Sequence, residues 1–231
     1  TRAKYGDFIL LPAASDLTQM RALENMREQR YPNYIRTFGY DKQLGSDENF
    51  TYVPFPVYLG ILSYRTCFTS ESIADAVEQV QTEKELRNYI FGFGVGWMDA
   101  KVFAYHDFKT MTVSRYQSLF KMTAINRVNL FCRGSNEILN EYNRYIGLKG
   151  LIYNRTMAIH YPLPHFFFTN KQNTKAAKRI EEGLQLAWED GSLMVLWEEE
   201  FGNSVRFADL PSRRVFKLEN PFVNDISENI G

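Results

Sequence analysis

No stretch of this sequence approaches the ~18 consecutive apolar residues that a membrane-crossing helix requires. Charge of one sign is missing too: 27 Lys and Arg balance 27 Asp and Glu. With no long basic run, the electrostatic footprint of a nucleic-acid-binding protein is absent. Histidine is scarce, and His106, His160 and His165 form neither H-x-x-x-H nor H-E-x-x-H, which argues against a zinc site. The two cysteines, Cys67 and Cys132, stand outside any metal-ligand spacing. They are either a disulfide made in an oxidising compartment or two buried apolar thiols, and the thiol reading is preferred. Repeats, low-complexity tracts and a secretory leader pattern are not seen, though a mature secreted chain would also lack the leader. Asn49-Phe50-Thr51 and Asn154-Arg155-Thr156 match the glycosylation sequon by pattern only.

What is present is a globular composition. The 231 residues are 45% hydrophobic and 15% aromatic, enough for one large or two small domains with a sizeable core. The stretch NYIFGFGVGWMDAKVF, residues 88–103, reads as a short strand, a glycine-rich bend and the start of a helix with one apolar face. Such a bend can aim free backbone N–H groups at one spot, where the helix dipole favours negative charge. Trp97 could then wall a ligand, and Asp99 could cap the helix or hold a cation. A tight strand-to-helix turn with a packed Trp is the plainer alternative. The glycines give G-x-G-x-G, not the dinucleotide pattern, and no P-loop Lys follows.

Along the chain, residues 7–11 (DFILL) predict a strand, and Asp16 a cap for a helix to about residue 29. Residues 34–40 look extended, as do 50–58, where Pro54 and Pro56 force an edge or a connection between lobes. From Leu59 to Gly147 strand and helix alternate, with a capping box at Thr82-x-x-Glu85 and Ser135 placed to cap a helix over 136–146. That alternation predicts a parallel sheet. Residues 151–168 read as one extended region broken by Pro162 and Pro164. A helix from Asn173 or Thr174 to Glu189 and another over about 193–200 follow, and the last thirty residues have no strong period. Two Pro-interrupted stretches thus bracket an α/β block. The expected plan is residues 1–58 in lobe one, 59–161 as an inserted lobe two, and 162–231 back in lobe one, with a ligand cleft at the hinge.

At this level the chain resembles bacterial extracytoplasmic solute-binding proteins of the type II periplasmic-binding fold, the group that includes polar amino-acid receptors. SDENFTYVPFPVY (46–58) resembles the segment ahead of the first crossing strand, and VNLFCRG (128–134) a strand–helix element of lobe two. PHFFFTNKQNTKAAKRIEEGLQLAWEDGSLMVLWEEEF (164–201) is similar to the return strand and the helix after it. Order and spacing carry the resemblance. It implies a two-lobed α/β fold with two hinge crossings, a small-molecule solute, no cofactor, no nucleic acid, a periplasmic or extracytoplasmic location, and a membrane transporter or receptor as partner. Two departures stand out. Asn49 occupies the slot where amino-acid receptors place a carboxylate-clamping Arg, and the family's first strand and helix are expected to be missing from lobe one.

The candidate ligand-binding residues are Tyr64 and Arg65 past the first crossing, Trp97 and Asp99 at the glycine-rich turn, and Arg133 at a strand end. There, ligands of open α/β sheets sit outside the carboxyl ends of the strands. Tyr58 and Tyr161 are further candidates for the hinge lining, Glu137 reads as a helix-start stabiliser, and Thr18 and Gln19 open a helix near the cleft. The leading function is non-enzymatic solute binding for ABC-type transport. A sensory domain of a signalling receptor is the second reading, and a lyase or dehydratase with Asp99 as its one clear carboxylate is the third.

Overall fold

The computed structural model describes residues 1–13, 17–223 and 226. Lobe one opens with α1 (Arg2–Tyr5), α2 (Gln19–Arg27), β1 (Ile35–Gly39), α3 (Lys42–Gly45) and β2 (Phe50–Tyr52). Lobe two follows with β3 (Tyr64–Ser70), α4 (Ala74–Glu78), α5 (Glu83–Leu86), β4 (Ile90–Gly94) and α6 (Met98–Tyr105). It continues through β5 (Lys109–Val113), α7 (Ser118–Ala124), β6 (Leu130–Gly134), α8 (Ile138–Tyr145), β7 (Leu151–Tyr153) and β8 (Met157–His160). The chain then returns through β9 (His165–Asn170) to α9 (Thr174–Glu189), α10 (Ser192–Trp197), α11 (Asn203–Ala208) and β10 (Arg214–Lys217).

Lobe one is built on a three-stranded sheet in which β9 lies between β1 and β2, antiparallel to both. Ala22, Met26, Phe38, Phe50, Phe166 and Phe168 close its core. Thr18, with an exposed side of α2 beside it, caps that helix by accepting from the Arg21 N–H; the Asp16 cap falls outside the described residues. The DFILL strand does not form. Residues 6–13 have no regular structure, because α1 is tied to α9 by Lys4–Glu182 and by Arg179 on the Gly6 carbonyl, and the segment never reaches a sheet edge. Phe8 to Leu11 are exposed as a result.

Lobe two has a larger sheet in the order β10-β8-β3-β6-β4-β5, with β7 also on β3. The all-parallel expectation is corrected. β4 is parallel to β5 and β6, but β3 runs antiparallel to β6, β7 and β8. The chain enters this lobe on β3 and leaves on β8, and entry and exit strands lying side by side must run in opposite directions. The extended region after residue 151 is three strands shared between the two sheets. The tail is corrected as well: β10 pairs with β8, and Ala208, Phe216 and Leu218 sit in lobe-two cores. Residues 203–218 therefore pack on the inserted lobe and do not return to lobe one. Their alternate burial is too short a signal to show which sheet they join.

Cys67 and Cys132 face each other across β3 and β6 and form a disulfide. This corrects the preference for two free thiols. Their separation of 65 residues in sequence hides a pairing that the strand register makes direct.

Candidate functional site

The two sheets meet at a cleft of about 270 Å³. Lobe one presents Gln19 at the start of α2, Arg36 and Thr37 of β1, and His165 of β9, with Tyr58 on the crossing. Lobe two presents Arg65 of β3, Trp97 and Asp99 at the head of α6, Arg133 near the end of β6, and Asn136 and Glu137 between β6 and α8. Four of the five sequence candidates thus share one cavity. Tyr64 lies apart from it, with its ring against His160 at 4.5 Å. Alternation along β3 is the reason, since adjacent residues of a strand point to opposite faces.

The glycine-rich turn makes room for packing. A Cβ on Gly94 would lie 2.5 Å from the Trp97 indole, and one on Gly92 would strike Leu119 and Val128. Gly96 takes a left-handed φ of 83° to reverse the chain into α6. The first turn of α6 already holds an anion of its own, Asp99, which is buried. Arg65 Nε lies 3.0 Å from Asp99 Oδ1 and donates to the Tyr161 hydroxyl at 3.2 Å, while that hydroxyl donates to Oδ1 at 2.5 Å. Burial opposes ionisation of Asp99, but Arg65 and Tyr161 outweigh it and hold the carboxyl below the usual range. Burial and the adjacent Asp99 raise the Tyr161 phenol well above its ordinary value.

Arg133 is held on every side. Its Nε donates to both Glu141 oxygens at 2.9 and 2.8 Å, and Nη2 meets Glu137 Oε2 at 2.8 Å. The guanidinium lies 4.7 Å from the Trp97 ring centroid and 4.9 Å from that of Tyr116. Burial pushes the Glu141 carboxyl above its ordinary range, and the Arg133 guanidinium opposes that rise. Glu137 also accepts from the Gly134 N–H, so it steadies the turn as well as facing the cleft. Ser135 does not cap α8; its hydroxyl donates to the Tyr64 carbonyl and pins β6 to β3. Asn136 Oδ1 is buried without a hydrogen-bond donor, at the rim of the same cavity.

Arg36 was not among the sequence candidates. Its Nη1 donates to the Leu17 carbonyl at 3.2 Å, and it has no carboxylate partner among the described residues. Nothing in YIRTFGY marks it out, because only the pairing of β1 with β9 brings that strand to the cleft. Asn49, in contrast, is exposed on the turn before β2 and donates to Asp47. Among the described residues no cluster of His, Cys, Asp and Glu is arranged to hold a metal, and no helix is long and apolar enough to cross a membrane.

His165 carries a pH dependence. Burial drives its imidazole down to about 4 from an ordinary 6.5. Between those values the unfolded chain binds the extra proton, so stability is complete above about pH 6.5 and falls as the pH drops toward 4. The span corresponds to roughly 3 kcal/mol. Urea titrations at stepped pH should show that loss, and His165→Gln should flatten it; an unchanged slope would mean the imidazole is protonated in the folded state.

No family model and no curated protein matches the sequence. Solved structures do. The GluR0 ligand-binding core with L-glutamate superposes with a TM-score of 0.62 at 9% identity, over 80% of this chain and 78% of that one. An arginine third transport system periplasmic binding protein from Legionella pneumophila gives 0.58 at 13%, covering 78% and 76%. An amino acid ABC transporter substrate-binding protein from Streptococcus pneumoniae bound to L-arginine gives 0.58 at 7%, covering 80% and 72%. The chain has the two-lobed α/β architecture of the type II periplasmic-binding fold.

Proposed function

We propose that the protein is a non-enzymatic, extracytoplasmic binding protein that closes its lobes on a small carboxylate-bearing solute of the amino-acid class. Arg36 carries this reading, as a cation that reaches the interlobe cleft from lobe one with no carboxylate partner among the described residues. Neighbours of the same fold that hold L-arginine and L-glutamate support the solute class. The buried Cys67–Cys132 disulfide supports an oxidising compartment. Arg133, the candidate near the end of β6, is another arginine in the cleft that could hold an acidic solute group. The geometry favours Arg36 instead, because Arg133 is committed to Glu137 and Glu141. Trp97, Arg65 and Asp99 supply the opposite wall. Asp99 Oδ1 is already engaged by Arg65 and the Tyr161 hydroxyl, which leaves it poorly placed as a general base and weakens the lyase reading.

The transport role has a rival in ligand sensing, favoured by the likeness to the GluR0 ligand-binding core; a channel or kinase segment in the same gene would decide for it. A thermal-shift screen of amino acids and dicarboxylates tests binding directly, since a ligand of the folded state raises its stability. With a hit in hand, calorimetry should find Arg36→Ala weaker by roughly ten- to a hundredfold, the worth of a charge-assisted hydrogen bond of about 1.5–3 kcal/mol. Equal affinities would remove Arg36 from the site.

A further inference from the structure

Two crossings join the lobes of this fold, at Tyr58–Gly60 and between β8 and β9. A third runs outside them. Residues 192–208 are continuously helical, but Glu198–Gly202 form a π-helical turn between α10 and α11. The first half lies on α9 in lobe one, and the second half on α8 in lobe two. There Ser204 Oγ accepts from the Leu139 N–H at 3.1 Å, Phe207 meets Tyr142, and Ala208 is wholly buried.

Where the helix passes from one lobe to the other it grips the first crossing. Trp197 Nε1 donates to the Tyr58 carbonyl at 3.2 Å, and Phe201 packs on the Tyr58 ring at 5.7 Å. The same ring meets His165 edge-on at 5.6 Å, and Tyr58 and His165 both line the cleft. Immediately after Tyr58 the backbone takes two left-handed residues in succession, Leu59 at φ 49° and Gly60 at φ 79°. A leucine in that region is strained and needs its surroundings to hold it. An α-helix advances about 100° per residue. The extra residue of a π-turn therefore rotates α11 by about that angle, which lets Trp197 and Phe201 face the crossing while Ser204 and Ala208 turn onto α8.

We propose that this helix is a third interlobe connection, and that its π-turn is a latch holding the Tyr58–Gly60 crossing in its strained setting. α10 continues from α9 of lobe one and α11 packs on α8 of lobe two. Alongside the two strand crossings and the later passage from Leu218 in lobe two to Val223 in lobe one, a rotation of the lobes therefore loads residues 198–202. Those are also the places where π-turns and hinges tolerate a change of hydrogen-bond register. Occupancy of the cleft is thereby coupled to the outer face of the molecule through Tyr58.

The test needs no ligand. Nitroxide labels on Gln43→Cys in lobe one and Lys121→Cys in lobe two report the interlobe distance by electron–electron double resonance. Trp197→Phe keeps the ring but removes the donor, and deletion of Glu199 converts the π-turn to an α-turn. Both should broaden or shift the distance distribution. In Trp197→Phe the Ile61 amide, which shares the Tyr58 carbonyl, should exchange roughly fivefold faster. A lowered melting temperature with an unchanged distribution and unchanged Ile61 exchange would make the helix mere packing and overturn the proposal. If the Glu199 deletion does not fold, Trp197→Phe decides alone.

Discussion

Asp99→Ala is expected to destabilise the protein by about 3–5 kcal/mol, the usual cost of leaving one partner of a buried ion pair uncompensated. Arg65, Asp99 and Tyr161 are 6%, 6% and 0% exposed, so little water reaches the position of the lost carboxylate. Removing it strands the guanidinium with one phenolic oxygen for a partner. The pair itself need not be worth that much. Taking both charges away in Arg65→Met with Asp99→Leu should recover most of the loss, since desolvation of the two ions is then avoided. A double-mutant cycle by urea denaturation separates the two quantities. The acid limb offers a second readout. The depressed Asp99 carboxyl contributes stability above its unfolded value near 4, and that stability is lost as pH falls through the lower folded value. Asp99→Asn should blunt this limb. A loss of under 1 kcal/mol in Asp99→Ala would mean that Arg65 reaches solvent through the cleft.

The second large effect belongs to the disulfide. Cys67→Ala with Cys132→Ala should lower stability by about 4 kcal/mol, the chain-entropy value for closing a loop of this length, since the cysteines are 65 residues apart. Reductant should lower the denaturation midpoint of the parent in the same direction and leave the variant unaffected. The bridge also has a local consequence. Cys67 lies two residues beyond Arg65, and Cys132 directly precedes Arg133, so the bond fixes the relative placement of the two strands that carry the lobe-two arginines. A midpoint indifferent to reductant would show that β3 and β6 are held by packing alone.

How far the sequence reaches is visible in these same residues. Hydrophobic period, caps and prolines are local properties, and they were enough for the alternating block, the capping box at Thr82, the Pro-interrupted crossings and the two-lobed fold class. The helix from Thr174 to Glu189 was legible for the same reason. Strand direction was not, because it depends on which strands become neighbours: β3 runs against β8 because the chain enters and leaves lobe two side by side. The preference for free thiols at Cys67 and Cys132 was wrong, since two cysteines carry no sign of the strand register that pairs them.

Within the cleft, residue type located Arg65, Trp97, Asp99 and Arg133 near strand ends and turns, but it could not tell which charges stay open. Asp99 finds its partners in Arg65 of β3 and Tyr161, both distant in sequence, whereas Arg133 is neutralised by Glu137 and Glu141 only four and eight residues on, once α8 turns them back onto β6. Arg36 has no signature at all until β9 lays β1 along the cleft. Local chemistry determined the class of fold and the kind of residues that meet. Tertiary packing decided which of those charges are neutralised and which stay open to the cleft, because electrostatic pairing acts through space and not along the chain.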